Sequence, residues 1–117
     1  MKLNKHGVNA CIKAYLLPDE QMRKIGFTDC REGYWYFCRG LIKGDISFNV
    51  IINKKDAEDL RIDVLDEHFG QPYDYQYYLI NDPNFDFAIK VRDKVEYWME
   101  YLQGNGVLSG HVKGEYI

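Results

Sequence analysis

Apolar and polar residues alternate along several runs in the first half of the chain. Residues 34–38 (YWYFC) are rich in strand-forming side chains, and residues 45–50 alternate at a period of two. The GLIKG stretch at 40–44 has a length suited to a hairpin, and a third alternating run follows a polar turn at 53–56. The residues that share a face are Ile46, Phe48 and Val50 in one run and Leu60, Ile62 and Val64 in the next. The pattern predicts three antiparallel strands.

Two later segments are harder to assign. The apolar spacing in 57–69 nearly fits a helix, but Ile62 falls off the helical face, so a strand is favoured there. Gly70 and Pro72 end that element. Residues 73–80 alternate again and predict a fourth strand. Its two sides would carry Tyr73, Tyr75, Tyr77 and Leu79 on one and Asp74, Gln76 and Tyr78 on the other.

Helical spacing of apolar residues is clearest near the end of the chain. A helix over 84–103 follows the start signal Asp82-Pro83-Asn84, and an Arg92–Glu96 pair is expected on its flank. Its apolar stripe comprises Ala88, Val91, Val95, Trp98, Met99 and Leu102. Near the start of the chain, Pro18-Asp19-Glu20 and Gly26 bound one short helix. A further stripe over 10–16 predicts another.

Together these elements predict an α+β fold in which all 117 residues form a single domain. An antiparallel sheet of three to four strands is expected, with the C-terminal amphipathic helix packed on one face and one or two short N-terminal helices. The glycine-rich tail at 105–117 is expected to be looped, with residues 111–112 and 115–117 docking as a short edge strand. A hydrophobic fraction of 46% and a charged fraction of 28% are ordinary for a globular domain.

Charge is unevenly distributed along the chain. Residues 56–86 hold nine acids and one base, a local formal charge of −8, whereas the remainder sums to +5. With a pI of about 5.6, the composition argues against a general nucleic-acid or anionic-membrane binder. No signal peptide or membrane span is recognisable. Three thiols without a targeting segment indicate a reducing, cytoplasmic location, with Cys11 and Cys38 expected in the core and Cys30 exposed.

Tyrosines interleave with the acids in this segment. Tyrosine offers a large contact area and a hydroxyl, and carboxylates at a rim steer a lysine- or arginine-rich partner. We therefore predict a non-enzymatic interaction module that presents an acidic, tyrosine-rich surface to a basic protein, as an inhibitor, an adaptor or a nucleic-acid mimic. The predicted binding residues are Asp63, Asp66, Glu67, Tyr73, Asp74, Tyr75, Tyr77 and Tyr78.

Other functions remain open at this point. Asp66, Glu67 and His68 could serve a small metal-dependent or acid/base enzyme, although their spacing matches no established ligand motif. We therefore assign no metal, cofactor or catalytic residue. A structural domain that mainly homodimerises, through the tyrosine face or an exposed edge, is the other alternative.

Overall fold

The computed structural model describes residues 2–115. Three helices and two antiparallel sheets form a mixed α+β fold, as the sequence predicts. In chain order the elements are β1 (Lys13–Ala14), α1 (Asp19–Ile25), β2 (Tyr34–Ile42), β3 (Ile46–Asn53), β4 (Asp56–Asp66), β5 (Gln71–Pro72), α2 (Tyr75–Asn81), α3 (Asp86–Gly104) and β6 (Leu108–Ser109).

The main sheet has the order β2-β3-β4-β5. Phe37, Val50 and Ile62 are aligned across its three long strands, and all three are buried. Alternation at a period of two turns these residues toward the core and leaves the intervening ones on an outward face. The three predicted strands are therefore confirmed. The helical alternative for 57–69 is wrong, since residues up to Asp66 continue the sheet.

The predicted strand at 73–80 is also wrong. The fourth strand is the two-residue β5, and the tyrosine segment after it forms α2. The Asp74 carboxylate accepts a hydrogen bond from the Tyr77 backbone N–H at 3.0 Å, which caps the helix. Tyr75 and Leu79 then lie on its buried face at a spacing of four residues. Because tyrosine suits either a half-buried strand or an amphipathic helix, its alternation with polar residues did not distinguish the two.

One of the two short N-terminal helices is confirmed. In α1, Met22 and Ile25 are buried, and Gly26 ends the helix with a φ of 125°. The helix predicted at 10–16 is wrong. The Asn9 side chain accepts from the Cys11 N–H at 2.9 Å and stabilises a turn, after which β1 pairs with β6 in a second sheet.

The long helix α3 packs across the inner face of the main sheet. Its stripe is buried as predicted at Ala88, Val91, Val95, Met99 and Leu102. Trp98 is only half-buried, because its ring lies at the edge of the core, 5.7 Å from the Phe37 ring. The expected Arg92–Glu96 pair is absent from the described residues. Arg92 contacts Asp93 at 3.0 Å, and Glu96 bonds His111 at 2.8 Å.

Two smaller predictions need correction. The tail contributes a strand at 108–109 and none at 111–112, while the part predicted at 115–117 includes residues 116 and 117, which lie outside the described part. Cys30 is exposed as expected, but so are Cys11 and Cys38. Cys11 lies in the turn before β1, and Cys38 occupies an outward position of β2. Among residues 2–115, no helix is long and apolar enough to cross a membrane.

Candidate interaction surface

Aromatic rings gather where β4 and β5 meet the first turn of α3. We call this group the aromatic end cluster, and it comprises Phe69, Tyr73, Tyr77, Tyr78, Phe85 and Phe87. Tyr73 stacks on Tyr78 with ring centroids 5.3 Å apart, and the Phe87 ring lies edge-on to Tyr73 at 5.6 Å. Such edge-to-face and offset-stacked pairs are mutually stabilising. The cluster therefore has a defined geometry.

A tight turn brings the cluster together. The Asp66 carboxylate accepts from the backbone N–H groups of His68 and Phe69 at 3.0 and 3.2 Å. Gly70 follows with a φ of 65°, a conformation that glycine adopts without steric cost. The reversed chain then bonds back to β4 through Tyr73 N–H and Val64 C=O at 2.9 Å. Asp66 is thus both a structural turn residue and an acid beside the aromatic rings.

Much of the cluster faces solvent. Phe69 is 71% exposed and Tyr77 is 60% exposed, while Ile80 on the outer side of α2 is 74% exposed. Isolated exposed apolar residues are ordinary, but neighbouring ones that form a patch are typical of binding surfaces. The outer side of α2 and the adjoining turn form such a patch.

A shallow cleft of about 240 Å³ lies beside the cluster, and it is lined by Asp45, Ile46, Asp66, His68, Phe69, Tyr73 and Phe87. The Tyr73 hydroxyl oxygen is buried near it and has no hydrogen-bond partner among the described residues. Burial, followed by the nearby Tyr78 and Asp66, raises the pKa of the Tyr73 phenol above its usual range. The Tyr73 phenol therefore stays neutral at physiological pH.

The rim of the cluster is acidic. Asp45, Asp74, Asp82 and Asp86 are exposed around it, and Asp66 is half-buried in the cleft. The sequence contains no lysine or arginine between Arg61 and Lys90. Among the described residues, none of these five carboxylates forms a salt bridge, so this part of the surface combines apolar contact area with unpaired negative charge.

The structure separates the eight predicted binding residues into three groups. Five of them belong to the cluster or its rim: Asp66, Tyr73, Asp74, Tyr77 and Tyr78. Asp63 and Glu67 lie instead on the outward sheet face, where Asp63 is aligned with Asn49 and Glu67 accepts a short hydrogen bond from the Ser47 hydroxyl. Tyr75 is only 2% exposed, so its placement on the surface needs correction. It lies on the face of α2 that packs against α3.

The three residues of the enzyme alternative do not converge. Asp66 and His68 line the cleft, whereas the Glu67 carboxylate is bonded to Ser47 on the outward face. Within residues 2–115, no group of three histidine, cysteine or acidic side chains is arranged to hold a metal ion. Partial burial of the thiol of the otherwise exposed Cys38, and then the nearby Glu67, raises its pKa, which keeps it in its less nucleophilic form.

Sequence reasoning missed several members of this surface. Phe69, Phe85 and Phe87 were not assigned to it, and Asp45 comes from the distant β2–β3 turn. The phenylalanines on either side of Asp86 were a usable signal, because the predicted apolar stripe of the helix includes neither of them. No local sequence signal places Asp45 there, since its position depends on strand pairing.

No protein-family model and no curated protein matches this sequence. The structure is similar to the crystal structure of a DUF1831 family protein from Lactobacillus plantarum, with a TM-score of 0.62. The match covers 83% of this chain and 82% of that chain at 12% sequence identity. At this level of identity the similarity supports the fold and carries no information about function.

Proposed function

We propose that this protein is a non-enzymatic interaction module whose aromatic end cluster and acidic rim bind a basic protein. The observation that carries the proposal is the coincidence of exposed rings and carboxylates without a salt bridge among the described residues at one end of the molecule. A few residues supply most of the binding free energy at protein interfaces, and tyrosine is enriched among them. A rim of one charge sign selects and steers a partner of the opposite sign.

The geometry supports a protein ligand over a small molecule. The cleft beside Tyr73 holds about 240 Å³, below the roughly 300–1,000 Å³ that is usual for sites of small organic ligands. The Phe69 ring lies at the edge of this cleft and is largely exposed, and Tyr77 is not among the residues that line it. A partner with lysines or arginines around an apolar centre would cover both the rings and the rim.

A selection with random displayed peptides tests this proposal with a defined readout. Immobilised protein is used to select binders from a peptide library, with counter-selection on a Phe69→Ser/Tyr77→Ser variant. We expect peptides rich in lysine or arginine with one or more apolar residues. Synthetic copies should bind the variant at least about tenfold more weakly, which corresponds to about 1.4 kcal/mol.

Matched controls distinguish binding at the cluster from non-specific apolar binding and from non-specific electrostatic binding. A Tyr97→Ser/Val112→Ser variant removes two exposed apolar side chains elsewhere, since Tyr97 is 61% and Val112 is 55% exposed. An Asp45→Lys/Asp86→Lys variant is compared with Asp93→Lys/Glu100→Lys, which makes the same net charge change away from the cluster. The proposal would be contradicted if each control variant weakened binding as much as the cluster variant that it matches. Selected peptides without basic residues would also contradict it.

A further inference from the structure

A second group of charged side chains lies at the far end of the outward sheet face. Lys5, His6, Arg31, Tyr36, Asp59 and Arg61 surround a cleft of about 180 Å³. Tyr36 and Arg61 belong to different strands but are brought level with each other, because both are aligned with Ile51 of the central strand. The cleft shares no residue with the aromatic end cluster, and it is basic whereas the rim of the cluster is acidic.

In the described part of the chain, two guanidinium groups in this cleft have no carboxylate partner. Arg31 donates to the Tyr36 hydroxyl at 3.2 Å, and Arg61 donates to the His6 Nδ1 at 3.2 Å. Within residues 2–115, neither guanidinium forms a salt bridge, whereas Arg23 and Arg92 each pair with an aspartate. Each guanidinium has five N–H donors, so most donors of Arg31 and Arg61 are left for a ligand.

The one carboxylate in the cleft is already saturated. Asp59 accepts from Asn53 at 3.1 Å, lies 2.6 Å from the His6 Nε2, and has the Lys5 ammonium 3.6 Å away. The Asn53 and His6 hydrogen bonds, and then Lys5, hold the pKa of the Asp59 carboxyl below its usual range. Because Arg61 can only donate, the His6 Nδ1 accepts and its Nε2–H donates to Asp59. Asp59 therefore positions His6 and Lys5 and does not neutralise the arginines.

Local structure holds these groups in place. The turn before β2 has Gly33 at a φ of 87°, and it carries the Arg31 guanidinium back to within 5.4 Å of the Tyr34 ring centroid. This cation–π contact restricts Arg31. The Tyr36 hydroxyl accepts from Arg31, so it retains its own proton to donate. The cleft thus presents two arginines, one lysine and one phenol over the apolar Ile51 side chain.

We propose that this cleft binds a phosphate monoester dianion, the terminal phosphate of a small molecule. Three full positive charges against the single Asp59 carboxylate leave a net charge of about +2, which complements the roughly −1.5 to −2 charge of a monoester at pH 7. Arginine pairs with phosphate oxygens through two parallel hydrogen bonds. The cleft volume of about 180 Å³ accommodates a phosphate-sized group and little more.

A continuous phosphate chain fits this face less well. Asp63 follows Arg61 on the same face of β4, and Glu67 lies further along that face, bonded to Ser47. Glu32 neighbours Arg31 on the exposed turn. A nucleic-acid backbone that leaves the cleft would meet these acids, and their repulsion opposes binding. The charge pattern favours a single terminal phosphate.

Titration with small anions tests the proposal on the full chain. Inorganic phosphate, phenyl phosphate and malonate are added separately at constant ionic strength, and backbone amide chemical shifts are followed by NMR. We expect both phosphates to shift the amides of residues 31–36 and 59–61 in a saturable manner. An Arg31→Gln/Arg61→Gln variant should bind them at least about tenfold more weakly, because it loses both guanidinium groups that would pair with the phosphate oxygens.

The control variant is Arg23→Gln/Arg92→Gln, which removes the same net charge from guanidiniums already paired with aspartates. It should bind phosphate like the unmodified protein. The proposal is overturned if neither phosphate gives saturable shifts, or if the two variants lose affinity equally. Malonate that binds as tightly as phenyl phosphate would overturn the assignment to phosphate.

Discussion

Tyr73 and Tyr101 are both half-buried, yet their hydroxyl groups have opposite environments. The Tyr101 hydroxyl donates to the Ile25 backbone C=O at 2.6 Å and ties α3 to the end of α1. The Tyr73 hydroxyl oxygen is buried without a hydrogen-bond partner among the described residues. A buried polar group stabilises a fold only if the hydrogen bond that it lost to water is replaced.

The first prediction compares the two tyrosines by removing one oxygen atom from each. Tyr101→Phe should lower the free energy of unfolding by about 1 kcal/mol, because it leaves the Ile25 carbonyl unsatisfied. Tyr73→Phe should leave it unchanged or raise it by up to about 1 kcal/mol, because an unpaired hydroxyl leaves the interior. Urea denaturation measures both. An equal loss of stability in the two variants would contradict the assignment of Tyr73.

A second residue-scale prediction concerns pH. The pKa of Asp59 is held below its ordinary value of 3.8 by Asn53 and His6. A carboxyl with a lowered folded-state pKa stabilises the fold above its unfolded-state pKa, and that contribution disappears as pH falls through the folded-state value. Asp59→Asn should therefore be less stable than the unmodified protein near neutral pH, with a difference that shrinks below about pH 4. Denaturation series across pH measure this difference, and one that is constant with pH would contradict the prediction.

Sequence patterns predicted the type of candidate residue better than its orientation. The tyrosines and acids of 66–78 do come together, but Tyr75 is buried and Glu67 faces the other side of the sheet. A shift of one position along a helix or a strand turns the side chain toward a different face. That choice depends on α2 packing against α3, which local spacing does not reveal.

The small sheet formed by β1 and β6 depends on an unusually close backbone approach. It closes the N-terminal segment against the residues after α3, where Lys13 pairs with Ser109 and Ala14 pairs with Leu108. Gly110 follows β6 with a φ of 85°, and a Cβ atom built there would lie 1.9 Å from the Cys11 carbonyl oxygen. Only glycine allows the two backbones to come this close.

The element-scale prediction uses a second glycine as its control. Gly106 has a similar φ of 80° but has nothing within 4 Å of an added Cβ. Gly106→Ala should cost about 1–2 kcal/mol, the left-handed backbone strain alone. Gly110→Ala should cost about 3 kcal/mol or more, because steric overlap with Cys11 adds to the same strain. Urea denaturation compares them, and equal costs would show that the close approach is unimportant.

Elements with strong local signals were predictable, and elements that depend on distant pairing were not. The long α3 and the strands β2, β3 and β4 follow their apolar periodicity. The two-residue strands β1, β5 and β6 carry too few residues to show a period, and their positions depend on partners far along the chain. The aromatic segment of α2 is compatible with the period of a strand and with that of a helix. The Asp74 cap was the signal in favour of the helix.

At the scale of the whole molecule, the uneven distribution of charge along the sequence corresponds to two separate surfaces, one acidic and one basic. The aromatic end cluster with its acidic rim lies where β4 ends, and the basic cleft lies near the middle and start of β4, on the outward face. Arg61 and Asp66 are five residues apart on this strand, which corresponds to about 17 Å. They also point to opposite sides of the sheet.

This separation leads to the last prediction, that the two proposed sites act independently. Exposed charges about 17 Å apart are screened at physiological ionic strength, where the Debye length is about 8 Å. Phenyl phosphate at saturation should therefore change the affinity for a selected basic peptide by less than about twofold, a coupling below about 0.5 kcal/mol. Calorimetric titration of the peptide with and without phenyl phosphate measures this coupling, and reciprocity requires the reverse titration to agree. A larger mutual effect would mean that the sheet transmits a change between its two faces, since the direct electrostatic interaction is too weak.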